Sequence, residues 1–227
     1  MLILGNASDE TEGQIAMHLS RRTFGRLAAG GLLSAGVTPV WAAADKYAPV
    51  PKGDSEFGSY TQSWFLDSFL EFADDIEMAA DNGKRFALIW ELEGCPYCRE
   101  THLVNFAVPQ VRDYVEANFE IVQMDVKGAR EVVDFDGEAM TESALARKSH
   151  VRFTPTIQFF PETLDEMSGK SGKVAEVARM PGYFRPFHFL TMFEYVREKA
   201  YESGDYRSFL KAKTASYEAE GKPIPSW

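Results

Sequence analysis

RFALIWELEGCPYC, residues 85–98, sets an apolar run directly against two cysteines spaced Cys-x-x-Cys. The run from Arg85 to Trp90 is apolar on both faces of a two-residue repeat, which is the pattern of a central strand covered by helices on each side. A helix is predicted to begin at the cysteines and run to about Phe106. Pro96 suits its first turn, where no N–H partner is needed. Backbone N–H groups at a helix start are unpaired and the macrodipole is positive there, so a thiol at that point ionises below its free pKa of about 8.5. Cys95 is therefore the predicted nucleophile. Cys98, one turn further on the same face, reaches the Cys95 sulfur and resolves a mixed disulfide.

These are the only cysteines in the chain. A structural zinc site needs four ligands, and the four histidines His18, His102, His150 and His188 form no second ligand pair. Redox chemistry is the better reading of the pair. His102, four residues after Cys98, is expected on the helix surface or in packing. Two accounts stand for Glu91 and Glu93: solvated charges at a strand end, the commoner case, or a carboxylate buried beneath the cysteines that takes the proton of Cys98. Glu91, nearer the strand, is the candidate for the second.

Upstream, Phe65, Phe69, Phe72, Ala73, Ile76 and Ala80 recur at helical spacing, which predicts an amphipathic helix from Ser63 stopped by Asn82-Gly83. Downstream, Pro109 opens another helix and Phe119 to Val126 reads as a strand. Asp136-Gly137 between apolar residues predicts a two-residue hairpin turn. The turn is the better reading than a calcium loop, because the glycine comes two positions too early and no Glu stands at the twelfth position. Thr141 and Ser143 cap a short helix through Lys148. Strands are predicted over Thr156 to Phe160 and Lys173 to Met180, then a helix from Pro186 to Tyr201 and one more turn or two over Tyr206 to Lys213. Phe184, Phe187, Phe189, Leu190 and Phe193 have the spacing of a core face.

Thr154-Pro155-Thr156 enters the third strand. Proline at the start of a central strand is restricted, and a cis bond there turns the Thr154 backbone outward as an edge for a partner chain. With the cysteines it makes the second half of a site.

The order strand, Gly94-Cys95-Pro96-Tyr97-Cys98, strand, Thr154-Pro155-Thr156 resembles the thioredoxin superfamily. That resemblance implies an α/β fold, a mixed central sheet flanked by helices, here with an extra N-terminal helix. It also implies a cis-proline role for Pro155 and contact with substrate at Pro96, Tyr97 and Thr154. More narrowly, GCPYCRETH, REVVDFDGEAMTESALARK, VRFTPT and MPGYF resemble the SoxW-type periplasmic thioredoxin-related proteins, which are linked to sulfur-oxidation gene sets, over about residues 60 to 210. This implies a reductase of protein disulfides, fed by a CcdA- or DsbD-like membrane electron donor and serving sulfur-oxidation proteins. Pro-Tyr between the cysteines also resembles glutaredoxins. Thr in place of Val before the proline and the lack of a Gly-Gly glutathione segment depart from that family, and Gly94 replaces the Trp usual in thioredoxin. An oxidant of the DsbA kind and a binding module without turnover are the alternatives.

The chain has 227 residues, 45% of them hydrophobic, and a formal net charge of −10. It can bury a core, and so acidic a protein is a poor nucleic-acid binder. Arg21-Arg22, a weakly apolar stretch from Leu27 to Val40 and Ala42-Ala43-Ala44 have the layout of an export leader. The arginine pair resembles a twin-arginine signal, which implies a periplasmic location. The expected organisation is a signal peptide over 1–44, a flexible linker over 45–57, a thioredoxin-like domain over 58–217 and a flexible tail over 218–227, with Met17 an alternative start. A monomer with no organic cofactor and no metal is expected.

Overall fold

The seven residues of β1 (Arg85–Glu91) are all buried, so both faces of the sheet at its centre are covered. The computed structural model describes residues 60–227; the predicted leader and linker lie outside them. In chain order, α1 (Phe72–Asp81) precedes β1. After it come α2 (Pro96–Glu100), a π-helical turn over Thr101–Asn105, α3 (Pro109–Asn118) and β2 (Phe119–Asp125). The hairpin β3 (Glu131–Val133) and β4 (Ala139–Thr141) leads to α4 (Glu142–Lys148), β5 (Thr156–Phe159), α5 (Leu164–Met167) and β6 (Ala178–Pro181). Then follow α6 (Pro186–Arg197) and α7 (Tyr206–Ala219).

The main sheet runs β2-β1-β5-β6. β1 is parallel to β2, from Arg85 opposite Phe119 to Glu91 opposite Asp125. It is antiparallel to β5, which sets Trp90 opposite Thr156, and β5 is antiparallel to β6. The sheet is mixed and the fold is the thioredoxin fold, with α1 in front. The end of β1 and the start of β5 lie at the same edge, so the loop holding the cysteines faces the loop holding Pro155.

Alternation along β1 divides the core in two. Phe86, Leu88 and Trp90 join Phe72 and Ile76 of α1 and Leu145 of α4 on one face. Ala87 and Ile89 join Val111 and Val115 of α3 and Phe189, Phe193 and Val196 of α6 on the other. Trp90 Nε1 donates to Gln158 Oε1 at 2.6 Å, so neither buried polar group is left unpaired. Arg85 is fully buried and donates to the carbonyls of Val196 and Phe160 at 2.9 and 2.8 Å. Of the predicted aromatic core face, Phe187, Phe189 and Phe193 are buried, while Phe184 and Leu190 sit at its margin.

Several element boundaries differ from expectation. The helix predicted from Ser63 starts at Phe72. Leu70 has φ of 64°, which no α-helix passes through, and Phe69 is 95% exposed. The apolar residues of that stretch serve both sheet faces, Trp64 and Phe65 packing on one and Leu66 and Leu70 on the other. The hairpin connection is five residues, 134–138, rather than two. Asp134 is drawn inward there, accepting from the N–H groups of Phe135 and Gly172 at 2.8 and 3.1 Å. That same tie shapes Gly172–Ala175 into a 3₁₀ turn, so the strand predicted from Lys173 begins only at Ala178. α6 ends at Arg197 rather than Tyr201, where Lys199 takes a left-handed φ of 52°. α7 runs well past the predicted Lys213; Asp205 caps it by accepting from Ser208 N–H at 2.7 Å. Beyond it, Trp227 packs back against the second core.

Candidate active site

β1 delivers the chain through Gly94, whose φ of +75° is the left-handed turn that glycine adopts without a Cβ clash. Cys95 is the N-cap residue of α2 and Pro96 its first helical position. Cys98 N–H donates to Cys95 Sγ at 3.1 Å, so the sulfur sits where a helix N-cap acceptor sits. Cys95 and Cys98 are joined as a disulfide, with Cα atoms 5.3 Å apart. The two sulfurs differ in access: Cys95 is half-buried, whereas Cys98 is 2% exposed.

The loop before β5 closes over Cys95. The Thr154–Pro155 bond is cis. Thr154 Oγ1 donates to Cys95 Sγ at 3.3 Å, and the Thr154 carbonyl oxygen lies 3.4 Å from the same sulfur. Gly182, at φ +81°, donates its N–H to the Pro155 carbonyl at 2.7 Å and so ties the end of β6 to this loop. Tyr97 is 58% exposed and stacks on Tyr183, ring centroids 5.9 Å apart. Phe153 is also largely exposed. The sulfur thus lies in a rim of aromatic side chains beside an extended backbone.

Beneath the cysteines is a polar network that no single stretch of sequence contains. A cavity of about 260 Å³ is lined by Glu91, Cys95, Cys98 and His102 together with Tyr60 and Arg99. Glu91 is 1% exposed and His102 is fully buried. Gln62 Nε2 donates to His102 Nδ1 at 2.9 Å, which leaves the ring proton on Nε2, donated to the two Glu91 carboxylate oxygens at 3.1 and 3.2 Å. Gln123 Nε2 also donates to Glu91 Oε2, at 2.5 Å. The rings of Tyr60, Phe65 and Phe106 surround the imidazole.

Of the site residues read from sequence, Cys95, Cys98, Pro96, Tyr97, Thr154, Pro155 and Glu91 all fall at this one edge. Glu93 is exposed. His102 takes the packed place of the two expected for it, fully buried, and is bonded there to Glu91 and Gln62. Sequence reasoning missed the link: its position four residues after Cys98 put it on the cysteine face and was the available signal. Gln62 and Gln123 gave none. Among the described residues, no group of three or more His, Cys, Asp or Glu side chains is placed to hold a metal ion.

A disulfide-forming Cys-x-x-Cys pair at a helix start, facing a cis-proline loop on a mixed sheet, is the architecture of a thiol–disulfide oxidoreductase. Residues 72–197, more than half of the chain, match the family model for the thioredoxin-like domain, and the chain belongs to that family. It is similar to a thioredoxin-fold protein from Helicobacter pylori, at 23% identity over 59% of this chain and 86% of the other, with a TM-score of 0.48. It is also similar to a thioredoxin from Thermus thermophilus, at 24% identity over 56% and 83%, with a TM-score of 0.41. No curated protein sequence is similar at a significant level.

Proposed function

We propose that the protein is a dithiol reductase of protein disulfides, working outside the cytoplasm. The observation that carries this reading is the difference between the two sulfurs: one half-buried and capped by a helix start, the other enclosed above a buried carboxylate. Cys95, as thiolate, attacks a partner disulfide. A Cys95–partner disulfide forms, the partner's S–S bond breaks, and one partner thiolate leaves and takes up a proton. Cys98 then gives its proton to Glu91 and its thiolate attacks the Cys95 sulfur, forming the Cys95–Cys98 disulfide and releasing the second partner thiol. Two electrons pass to the partner, and the oxidised pair is the state seen here. Return to the dithiol needs an external dithiol reductant. The resemblance to SoxW-type proteins points to a CcdA- or DsbD-like membrane donor and to sulfur-oxidation proteins as clients. Pro96, Tyr97, Thr154 and Pro155 receive the client chain. Arg21-Arg22 and the residues after it support export by the twin-arginine route.

The test is the reduction potential against glutathione together with insulin reduction. A reductase is expected near the thioredoxin value of about −270 mV with turnover of insulin. A value near about −120 mV assigns an oxidant instead, and cysteines inert in both assays assign a binding module.

A further inference from the structure

The protein carries a net charge of −10, yet one pocket of about 310 Å³ reverses that sign. Arg152, Lys173, Arg179 and His150 line it together with Phe153, and none of its lining residues is acidic. Arg179 is held by Glu176 at 2.7 Å and by the Ser149 carbonyl at 2.6 Å, so part of its charge is answered. Arg152 and Lys173 form no ion pair among the described residues. Both are exposed.

The pocket adjoins the redox edge. Phe153, 65% exposed, stands between Arg152 and Thr154, and Thr154 touches the Cys95 sulfur at 3.3 Å. An extended chain advances about 3.3 Å per residue. A partner strand laid along this loop with its cysteine at Cys95 therefore brings side chains two to four residues away to the basic pocket. Arg152 and Lys173, without an ion pair among the described residues, can take a carboxylate of the partner. The protein's net charge of −10 opposes such a partner on balance, whereas the pocket attracts it, which favours this docking orientation.

We propose that this pocket selects disulfide partners that are polypeptides with Asp or Glu two to four residues from the attacked cysteine. The inference rests on Cys95 being the attacking sulfur. The exposed Phe153, between Arg152 and Thr154 in the chain, gives the segment between charge and cysteine an apolar contact, which a small anion does not need.

The experiment uses two disulfide-linked peptides that differ only in carrying Asp or Lys at those positions. Single-turnover reduction by the reduced protein is followed at low and at 0.5 M salt. The expected Asp-to-Lys rate ratio is about tenfold or more at low salt, shrinking at high salt. In the double variant R152E/K173E the ratio should fall to about one or invert. A ratio near one in the unaltered protein, or one that survives the double variant, overturns the proposal. If neither peptide is reduced, the reductase reading fails instead. The docking claim is then decided by binding of the same peptides with Ser for Cys: tighter binding of the Asp peptide, lost in R152E/K173E, upholds it, and equal binding overturns it.

Discussion

Glu91 ends β1 with its carboxylate between two N–H donors, from His102 and Gln123, and with the cysteine cavity on its open side. In the proposed cycle a buried acceptor at that spot acts when Cys98 loses its proton, not when Cys95 attacks. Glu91→Gln is therefore expected to leave formation of the mixed disulfide intact and to slow its release by about 10²-fold at neutral pH, the usual size of a positioned proton acceptor's effect. Rapid-quench kinetics with a protein disulfide separates the two steps, and equal slowing of both would assign Glu91 a structural role. At this scale the sequence was legible where chemistry and spacing coincide: the cysteines, the Thr-Pro pair and Glu91 lie at the ends of strands that pattern identifies. Gln62, His102 and Gln123 come from three segments and meet only through tertiary packing.

The entry to α1 shows how an element's pattern can mislead. Phe65, Phe69 and Phe72 share helical spacing, but the left-handed residue Leu70 divides them and leaves Phe69 outside. Phe72→Ala, which empties a fully buried ring site, is expected to cost about 3–5 kcal/mol. Phe69→Ser should stay within about 0.5 kcal/mol of the parent. Urea unfolding of the two variants checks this, and a large loss from Phe69→Ser would restore the longer helix. The same helix carries a titrating group. Burial pushes the Asp75 carboxyl up to about 6, despite the hydrogen bond from Ser68 at 2.6 Å that works the other way. The folded state then holds a proton that the unfolded chain has lost. The stabilisation is full below about pH 3.8 and disappears as pH rises through about 6, a change of up to about 3 kcal/mol. Asp75→Asn removes it, so the variant should gain stability over the parent at pH 7.5 and lose that advantage by pH 4. A gap independent of pH would show that Asp75 does not titrate in this range. Boundaries set by such local ties, Leu70 here and the Asp134–Gly172 contact before β6, carry no periodic signal, which is why the sequence placed the elements but not their ends.

For the molecule as a whole, strand and helix order followed from hydrophobic period together with the proline, glycine and capping signals at Asn82-Gly83, Pro109, Asp136-Gly137 and Thr141. The position of the cysteines beside Pro155 followed from the resemblance to thioredoxins, and the pairing of β1 with β5 produces it. The basic pocket did not, since Arg152, Lys173 and Arg179 are separated in the chain and only the turn at Gly172–Ala175 and the pairing of β5 with β6 gather them. In the proposed cycle the helix start exposes and activates Cys95 while the fold encloses Cys98. The most direct measurement is disulfide trapping with the two single variants against one protein disulfide. Cys98→Ser is expected to accumulate a mixed disulfide through Cys95, and Cys95→Ser to accumulate little. Equal trapping by both variants, or stronger trapping by Cys95→Ser, would contradict the account.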